Sequence, residues 1–541
     1  AVVRYPPPSL RGILESKQMI FIMKLASTLS ALLLVAASAT AREFVHPGLS
    51  YTDRDIERMQ QLIADGAEPY CATFDALKNS KYSTVGAEIT PITSIPEGRF
   101  NATVGEDGRR VHDLALMYRL TGDRAYADEA VKRLNRYNGL TNCSARGTGP
   151  LDNGKVYLMI EGAELLRDYD GWAEADRRAF ADMLVHPGYS DTEFPSGSYN
   201  LDDAKNDVTF YWNIYQFDQG RWGNQGLFAA RAMMAMGIFL DNEKIYDRAL
   251  RYLRSMDARE DDIPYPCQTP VSGSENNAAD TNRTHISYNG SWKPSDRQFI
   301  SDEALQYYIY ANGQCQETCR DQGHAMVGVG LYTDLAEMAA SQGDDLYGDL
   351  DCRILLGLEY SIRYNMTYDW PEPWEPSGYS KTEADCTFDN GVFYQAKSRS
   401  PRWEAVKPYA EDRYKAFSCV RYLSQALAHY KHRGRNSRSE ALDPSRYEWL
   451  QKAVDQYIGD GIEDWGASGH HYEWKGWGTL TKRIPENSDS GTTSIGTVEP
   501  DKASEPEYYN VAGYKVDGDN LKTGLYIERR GNDSNLILRV E

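Results

Sequence analysis

The sequence predicts an all-α protein, an incomplete or closed α/α toroid of helical hairpins, followed by a small β module. Apolar residues recur at helical spacing over most of the chain. A turn segment with a Tyr after an acidic stretch recurs as LTGDRAYADEA, FLDNEKIYDRA and SQGDDLYGDLD, each between two amphipathic runs. From about residue 485 the composition changes to a polar linker and then to short apolar segments separated by Asp-Gly and Gly-Asn turns.

The first segment predicts export. Residues 23–41, MKLASTLSALLLVAASATA, combine one Lys, an apolar core and small residues at Ala39 and Ala41, the pattern that a signal peptidase recognises. Residues 1–22 precede its Met, and we exclude residues 1–41 from the predicted fold. We therefore expect the protein to be secreted, periplasmic or displayed on the cell surface. No later apolar run approaches the roughly 20 residues that a membrane span requires.

The helical domain is predicted to extend from residue 42 to residue 484. Thr52 and Asp55 have the spacing of a capping box, and Ile56, Met59 and Leu62 follow at helical spacing. Further helices are predicted over residues 111–120, 125–137, 156–169, 174–184, 226–240, 302–311, 326–341, 354–364, 403–430 and 446–457. Three long polar segments interrupt them, and we expect these to form the walls of a cleft: 187–221, 257–293 and 370–401.

Residues 485–505 are predicted to be a linker, and residues 506–541 a β module. Short strands are expected around Val511, Tyr514 and Val516, and again over 525–527 and 536–540. The module resembles the C-terminal sorting modules of exported Bacteroidota proteins of the type IX secretion kind, a resemblance that implies display on or export past the cell surface.

Composition restricts the class of partner. The formal net charge of −20 argues against nucleic acid and anionic membranes, and a polyanionic substrate would require a locally basic cleft. The 38 Tyr and 11 Trp residues are typical of carbohydrate clefts, although large helical proteins also use Tyr in their cores. Eight cysteines in an exported chain indicate disulfides of undetermined pairing, and no Cys/His set predicts a metal site. The oligomeric state does not follow from the sequence.

The segment NGQCQETCRDQGHAMVGVGLY, residues 312–332, is the densest group of candidate functional residues. Glu317 and His324 are seven residues apart, so a continuous helix would place both on one face, with Arg320 and Gln322 between them. Upstream, Asn224 lies between glycines at the start of an apolar run, where it either offers an amide at a helix mouth or caps the helix.

Two further segments carry candidate residues. Arg402 and Tyr409 are again seven apart, although Pro408 favours a kink, and the alternative is a surface stack. The segment SGHHYEWKGW contains His471 and Trp474 and predicts an aromatic and basic rim. No serine elbow, phosphate-binding loop or zinc-protease motif is present. A glycosidase with paired carboxylates such as Glu317 and Asp321 stays open.

Taken together, GNQG before an apolar helix, GQCQETCRDQGHAMVGVG and AEMAASQGDDLYGDLDCRILLGLEYSIRYN resemble the alginate-lyase-like polysaccharide lyases over roughly Gly66 to Leu480. This resemblance implies an α/α toroid that acts on alginate or glucuronan. It places the family's catalytic Asn, Glu and His on Asn224, Glu317 and His324. Its Arg and Tyr fall less securely on Arg402 and Tyr409, because Arg399 and the tyrosines at 360, 364 and 379 are alternatives. The predicted substrate contacts are Trp222, Arg320, Gln322, His471 and Trp474.

The chemistry that these residues suit is β-elimination. Asn, Arg, His or a protonated Glu can neutralise the uronate carboxylate, and a Tyr with a lowered pKa can take the C5 proton and protonate the departing O4. This reaction requires no cofactor. We therefore predict a lyase for an acidic polysaccharide. A glycoside hydrolase on the same toroid and a noncatalytic glycan-binding helical protein are the alternatives.

Overall fold

The structure is a computed structural model that describes most of the predicted helical domain and the C-terminal strands. The described residues are 42–95, 99, 101–140, 142–143, 149–185, 210, 214, 223–254, 256, 304–319, 322–366, 388–389, 392–393, 422–432, 442–463, 474–485, 507–510, 515–516, 524–530 and 533–539. The chain divides into residues 1–43 and residues 44–541. The predicted signal and residues 486–505 of the predicted linker lie outside the described residues.

The predicted all-α class is confirmed. The helices are α1 (Asp53–Ala64), α2 (Tyr70–Lys78), α3 (Glu106–Thr121), α4 (Arg124–Asn135), α5 (Gly149–Gly154), α6 (Tyr157–Leu165), α7 (Glu174–Val185), α8 (Gly223–Phe239), α9 (Glu243–Leu253), α10 (Leu305–Tyr308), α11 (Gln322–Ser341), α12 (Asp349–Met366), α13 (Leu423–His432), α14 (Glu448–Tyr457) and α15 (Gly478–Thr481). Among the described residues, no helix has both the length and the apolar content that crossing a membrane requires.

The helices close into a ring. Helix α3 packs on α6, α6 on α8, α8 on α11, and α11 on α13. Helix α15 then packs on α13 and on both α1 and α2, which return to α3. Arg58 of α1 fastens this closure by donating to the backbone oxygen of Thr481 at 2.6 Å. The sequence-based expectation of a toroid therefore corresponds to a closed arrangement, because the last helix contacts the first.

Inner and outer helices alternate along the chain. Nearly every residue of α8 and α11 is buried, as expected for helices that are apolar all round, whereas α14 buries one face only. Within the described residues, the inner helices α3, α8 and α11 are each followed by a turn and an outer helix, so these inner helices run in one direction. The long segments 186–222 and 367–421 each connect an outer helix to the next inner helix, and segment 255–303 connects α9 to α10, which precedes α11. These segments therefore lead to the end of the toroid at which the inner helices begin.

The recurring turn segments form the opposite end. Gly122 ends α3 with a left-handed backbone at φ 73°, and the Asp123 side chain accepts from the N–H of Ala125 at 3.0 Å to begin α4. In the second copy, Asn242 caps α9 in the same way through Ile245. The Tyr246 hydroxyl then donates to Asp344 in the third copy at 2.6 Å. These segments are hairpin turns, as their sequence predicts.

Most predicted helices are present, with different ends. The capping box of Thr52 and Asp55 is confirmed. The helix predicted over 302–311 is a single turn, Leu305–Tyr308, and α8 and α11 begin earlier than predicted, at Gly223 and Gln322. Of the helix predicted over 403–430, only the part from Leu423 is described. The first turns of these helices are polar and do not show the apolar pattern, so the predicted helix starts are too late.

The strands are short except at the C-terminus. Parallel β1 (Ser94–Ile95) and β2 (Asn142–Cys143) pair, as do antiparallel β3 (Phe388–Asp389) and β4 (Val392–Phe393). The predicted β module is a four-stranded antiparallel sheet in the order β6 (Lys515–Val516), β5 (Glu507–Asn510), β7 (Gly524–Arg530) and β8 (Asp533–Arg539). Val511 and Tyr514, expected in strands, lie outside the described residues.

The segment before α1 is bound to the turn end of the toroid. His46 contacts a carboxylate with each ring nitrogen, Glu164 at 2.6 Å through Nδ1 and Asp241 at 2.7 Å through Nε2. Because a carboxylate only accepts, both ring nitrogens carry a proton and the imidazole is cationic. Burial opposes this charge, but the two carboxylates outweigh both burial and nearby Arg167 and raise the pKa of His46 above 6.5. The side-chain amide of Gln342, which does not titrate, hydrogen-bonds to the backbone of Val45 and Gly48 in the same segment.

We expect the His46→Gln variant to lose about 1 kcal/mol of stability at about pH 5.5 and almost none at about pH 9. A raised folded-state pKa contributes stability that is fully present below the unfolded value and is lost as pH rises through the folded value. Urea unfolding across this pH range measures the difference from the parent protein. In contrast, Gln342→Ala should destabilise equally at every pH, and a pH-independent effect of His46→Gln would contradict the assignment.

Candidate active site

Asn224 and Glu317 meet at the start of α8, although they are 93 residues apart in the chain. The Asn224 backbone N–H donates to Glu317 Oε2 at 2.9 Å, and its amide Nδ2 donates to Oε1 at 2.6 Å. Glu317 therefore satisfies a backbone N–H that α8 leaves without a helical partner, and its negative charge lies at the positive end of the helix. The Asn224 side chain turns toward Glu317, so it is not the cap of its own helix.

This contact fixes the orientation of the Asn224 amide. A carboxylate only accepts hydrogen bonds, so the nitrogen of the amide is the atom that faces Glu317. The second Nδ2 proton and the Oδ1 atom of Asn224 point elsewhere. Asn224 is 3% exposed and Glu317 is 0% exposed, so Glu317 has no surface with which to contact a substrate.

Tyr308, at the end of α10, completes the environment of Glu317. Its hydroxyl donates to Glu317 Oε2 at 2.7 Å. Burial raises the pKa of Tyr308 well above 10, and Cys315 and Glu317 raise it further. Tyr308 is therefore a hydroxyl donor rather than a base, and Glu317 accepts three hydrogen bonds from Asn224 and Tyr308.

Cys315 lies beside these residues as a buried free thiol. Its Sγ accepts from the backbone N–H of Glu317 at 3.3 Å. Burial, together with the charge of Glu317, raises the pKa of the Cys315 thiol to about 12, so the thiol is neutral and contributes no second negative charge. Cys71 and Cys352 also have free thiols, and the disulfides expected from the cysteine count stay a prediction.

His324 lies in the first turn of α11 and is partly exposed, unlike its neighbours Gln322 and Ala325. The sequence-based expectation that Glu317 and His324 share one helical face is wrong. Glu317 belongs to a 3₁₀ turn, Gln316–Cys319, that precedes α11. The seven-residue spacing therefore does not act through a continuous helix, and tertiary packing places Glu317 on α8 instead.

Gln322 supports the first turn of α11 from inside. Its Nε2 donates to the backbone oxygen of Thr318 at 3.0 Å, and its Oε1 accepts from Asn365 Nδ2 at 3.0 Å. Asn365 is in the last turn of α12, where its Nδ2 also donates to the backbone oxygen of Ser361 at 2.7 Å. Gln322 thus joins the 3₁₀ turn, α11 and α12, and its predicted substrate contact stays a prediction.

A second polar cluster lies deeper in the ring, centred on Asp334 of α11. Arg231 of α8 donates to Asp334 at 2.6 Å, Lys475 forms a short ion pair with it, and Gln425 of α13 donates at 3.2 Å. Arg231 also stacks over the Tyr157 ring at 4.2 Å. Burial opposes the charge of Asp334, but Lys475 and Arg231 outweigh it and hold its pKa below 3.8.

Trp474, predicted as a substrate-binding rim residue, belongs to the environment of this cluster. It is 1% exposed, and its ring packs on Tyr422 at a centroid distance of 5.2 Å. The Arg231 guanidinium lies 5.9 Å from the Trp474 ring. Trp474 is therefore almost fully buried against these ion pairs, and its predicted substrate contact stays a prediction.

The structure brings together Asn224 and Glu317 and places His324 on the adjacent inner helix. Tyr360 and Tyr364, the alternative bases in α12, are both fully buried. Several predicted residues lie outside the described residues: Trp222, Arg320, Asp321, Tyr379, Arg399, Arg402, Tyr409 and His471.

Sequence reasoning missed Tyr308, Asn365 and the cluster around Asp334. Arg231 and Asp334 interrupt long apolar runs, in FAARAMMAM and GLYTDLAEM, and a charge inside an apolar helix is a signal of a buried pair. Tyr308 and Asn365 had no such signal, because each stands in a short polar or aromatic context.

No protein-family model and no curated protein matches the chain. Solved structures that it resembles include alginate lyase A1-III from Sphingomonas species A1. The identity is 13%, the match covers 60% of this chain and 80% of that chain, and the TM-score is 0.36. A likeness of this extent carries no argument for activity or substrate.

Proposed function

We propose that the protein is a secreted polysaccharide lyase that cleaves 4-linked uronate polymers, glucuronan or alginate, by β-elimination. The observation that carries this proposal is the oriented Asn224 amide, held by buried Glu317, next to the helix that presents His324. Both residues lie at the helix ends to which the three long chain segments attach. A polymer would bind at this end of the toroid.

The arrangement suits neutralisation of a uronate carboxylate. Removal of the C5 proton becomes feasible when the neighbouring carboxylate is stabilised as an enolate-like species, and preorganised donors provide this stabilisation. The second N–H of Asn224 and a ring N–H of His324 are the donors that we assign to it. Glu317 keeps the Asn224 amide in this orientation and does not touch the substrate.

Tyr409 is the base in this proposal, and Arg402 lowers its pKa and adds a positive charge. The base takes the proton from C5, the C4–C5 double bond forms, the C4–O4 bond breaks, and the departing O4 receives a proton. In glucuronate and mannuronate both atoms lie on one face of the ring, so one Tyr serves both steps. In guluronate they lie on opposite faces, and His324 would share the work. Tyr360, Tyr364 and Tyr379 stay the alternative bases, and Tyr360 and Tyr364 are buried.

We expect incubation with glucuronan or alginate to produce the ultraviolet absorbance of a double bond conjugated to a carboxylate. A panel of uronate polymers, read for this absorbance and for new reducing ends, tests the proposal. Reducing ends without the absorbance would identify a hydrolase. Stabilisation by a polymer without any product would identify a binding protein, and either result would overturn the proposal.

A further inference from the structure

Tyr308 contacts the hydrogen-bonded pair of Asn224 and Glu317, and the space that it occupies fits its hydroxyl group. The Tyr308 ring is fully buried between α8 and α11 and packs near Tyr332 of α11, at 5.8 Å between ring centroids. From there the hydroxyl reaches Glu317 Oε2 at 2.7 Å, on the same oxygen that accepts the backbone N–H of Asn224. The carboxylate therefore connects Tyr308 to Asn224.

Two glycines make room for this tyrosine. A Cβ at Gly223, the first residue of α8, would lie 2.5 Å from the Tyr308 ring. A Cβ at Gly328 in α11 would lie 1.5 Å from the Tyr308 hydroxyl oxygen and 2.4 Å from the carbon that bears it. The closest approach at Gly328 is to the hydroxyl and not to the ring edge. Because Gly328 has no side chain, α11 leaves space for the hydroxyl oxygen of Tyr308, an atom that a phenylalanine would lack.

The hydroxyl has two neighbours, Glu317 and the Cys315 thiol. The thiol is protonated, so the carboxylate is the strong acceptor of the pair. Without the hydroxyl, Oε2 of Glu317 would lose the hydrogen bond from Tyr308 at 2.7 Å. The carboxylate would be held less firmly, and so would the Asn224 amide that donates to its Oε1.

We propose that Tyr308 is a positioning residue that acts through Glu317 to fix the amide of Asn224. The kinetic part of this inference rests on the proposed function, because it assumes that Asn224 contacts the substrate carboxylate. The structural part does not, because the orientation of Asn224 is a property of the protein without substrate.

The test compares Tyr308→Phe with Tyr246→Phe. Tyr246 is a matched control, because its hydroxyl also donates to a carboxylate, Asp344 at 2.6 Å, but at the opposite end of the toroid. On the polymer that the panel identifies, Tyr308→Phe is expected to lower kcat by about tenfold to a hundredfold with KM nearly unchanged. Tyr246→Phe should lower the unfolding temperature to a similar extent and leave kcat unchanged.

A second measurement is independent of turnover. With nitrogen-labelled asparagine, the Asn224 side-chain resonance is assigned by its loss in Asn224→Ser. It should shift in Tyr308→Phe and stay in place in Tyr246→Phe. An unmoved resonance would overturn the inference whether or not the protein is a lyase. A shifted resonance with no product from any polymer would support the positioning of Asn224 and reject the lyase assignment.

Discussion

Replacing His324 with alanine is expected to lower kcat on the uronate polymer by about 10²–10⁴-fold, the range that a positioned acid, base or donor contributes. His324 is partly exposed in the first turn of α11, where the residues around it are buried. The first turn of α11 is also held by Gln322, which bonds to Asn365 and to the backbone oxygen of Thr318. The variant should therefore keep its fold, and initial rates of ultraviolet absorbance increase measure the loss.

His46→Gln provides the control for this experiment. It also removes an imidazole, but one that binds the segment before α1 to Glu164 and Asp241 at the other end of the toroid. Its kcat should equal that of the parent protein wherever both are folded. If His324→Ala keeps a rate close to the parent value, the neutralising role passes to Arg402 and the structure-based site must be revised.

Replacing Asp334 with alanine is expected to destabilise the fold by about 3–5 kcal/mol, because it leaves buried cations without their counter-charge. Arg231 is 0% exposed and Lys475 is 5% exposed, and both pair with Asp334. Lys475→Met should cost less, since Arg231 still balances Asp334. Urea unfolding at neutral pH measures both. Because the pKa of Asp334 is lowered in the folded protein, the stability that its carboxylate contributes is present above about pH 4. This stability is lost as the pH falls further.

An exposed ion pair gives the contrast. Arg124 and Asp170 pair at 2.7 Å, with side chains 55% and 77% exposed. Asp170→Ala should leave the urea unfolding midpoint nearly unchanged, because water solvates each partner after the loss. Equal effects of Asp170→Ala and Asp334→Ala would show that burial does not decide the strength of these pairs.

The sequence predicted the helical hairpins because their determinants are local. The capping box of Thr52 and Asp55, the left-handed Gly122 and the cap of Asn242 are all defined within four residues. Apolar periodicity gave the buried helices, and Asp-Gly and Gly-Asn turns gave the C-terminal strands. Helix starts were missed where the first turn is polar, as at Gln322, because the hydrophobic pattern contains no information about such a turn.

The candidate site was predicted only in part, since its contacts join distant positions. Asn224 and Glu317 were each singled out, but their mutual hydrogen bonds and the burial of Glu317 depend on how α8 and the 3₁₀ turn pack. The expectation that Glu317 and His324 share one helical face was wrong, because the two belong to different elements. No sequence pattern indicated Tyr308, although the two glycines that make room for it, Gly223 and Gly328, are present in the sequence.

By itself, then, the sequence determined which segments are helices, where they turn, and which polar residues interrupt apolar runs. These features depend on interactions over a few residues and on side-chain polarity. Only the tertiary structure decided that the ring closes through Arg58 and Thr481, that Glu317 orients Asn224, and that Asp334 pairs with Arg231 and Lys475. Each of these contacts links positions about a hundred or more residues apart or on separate elements. Their geometry is set by the packing of whole helices, which no local pattern encodes.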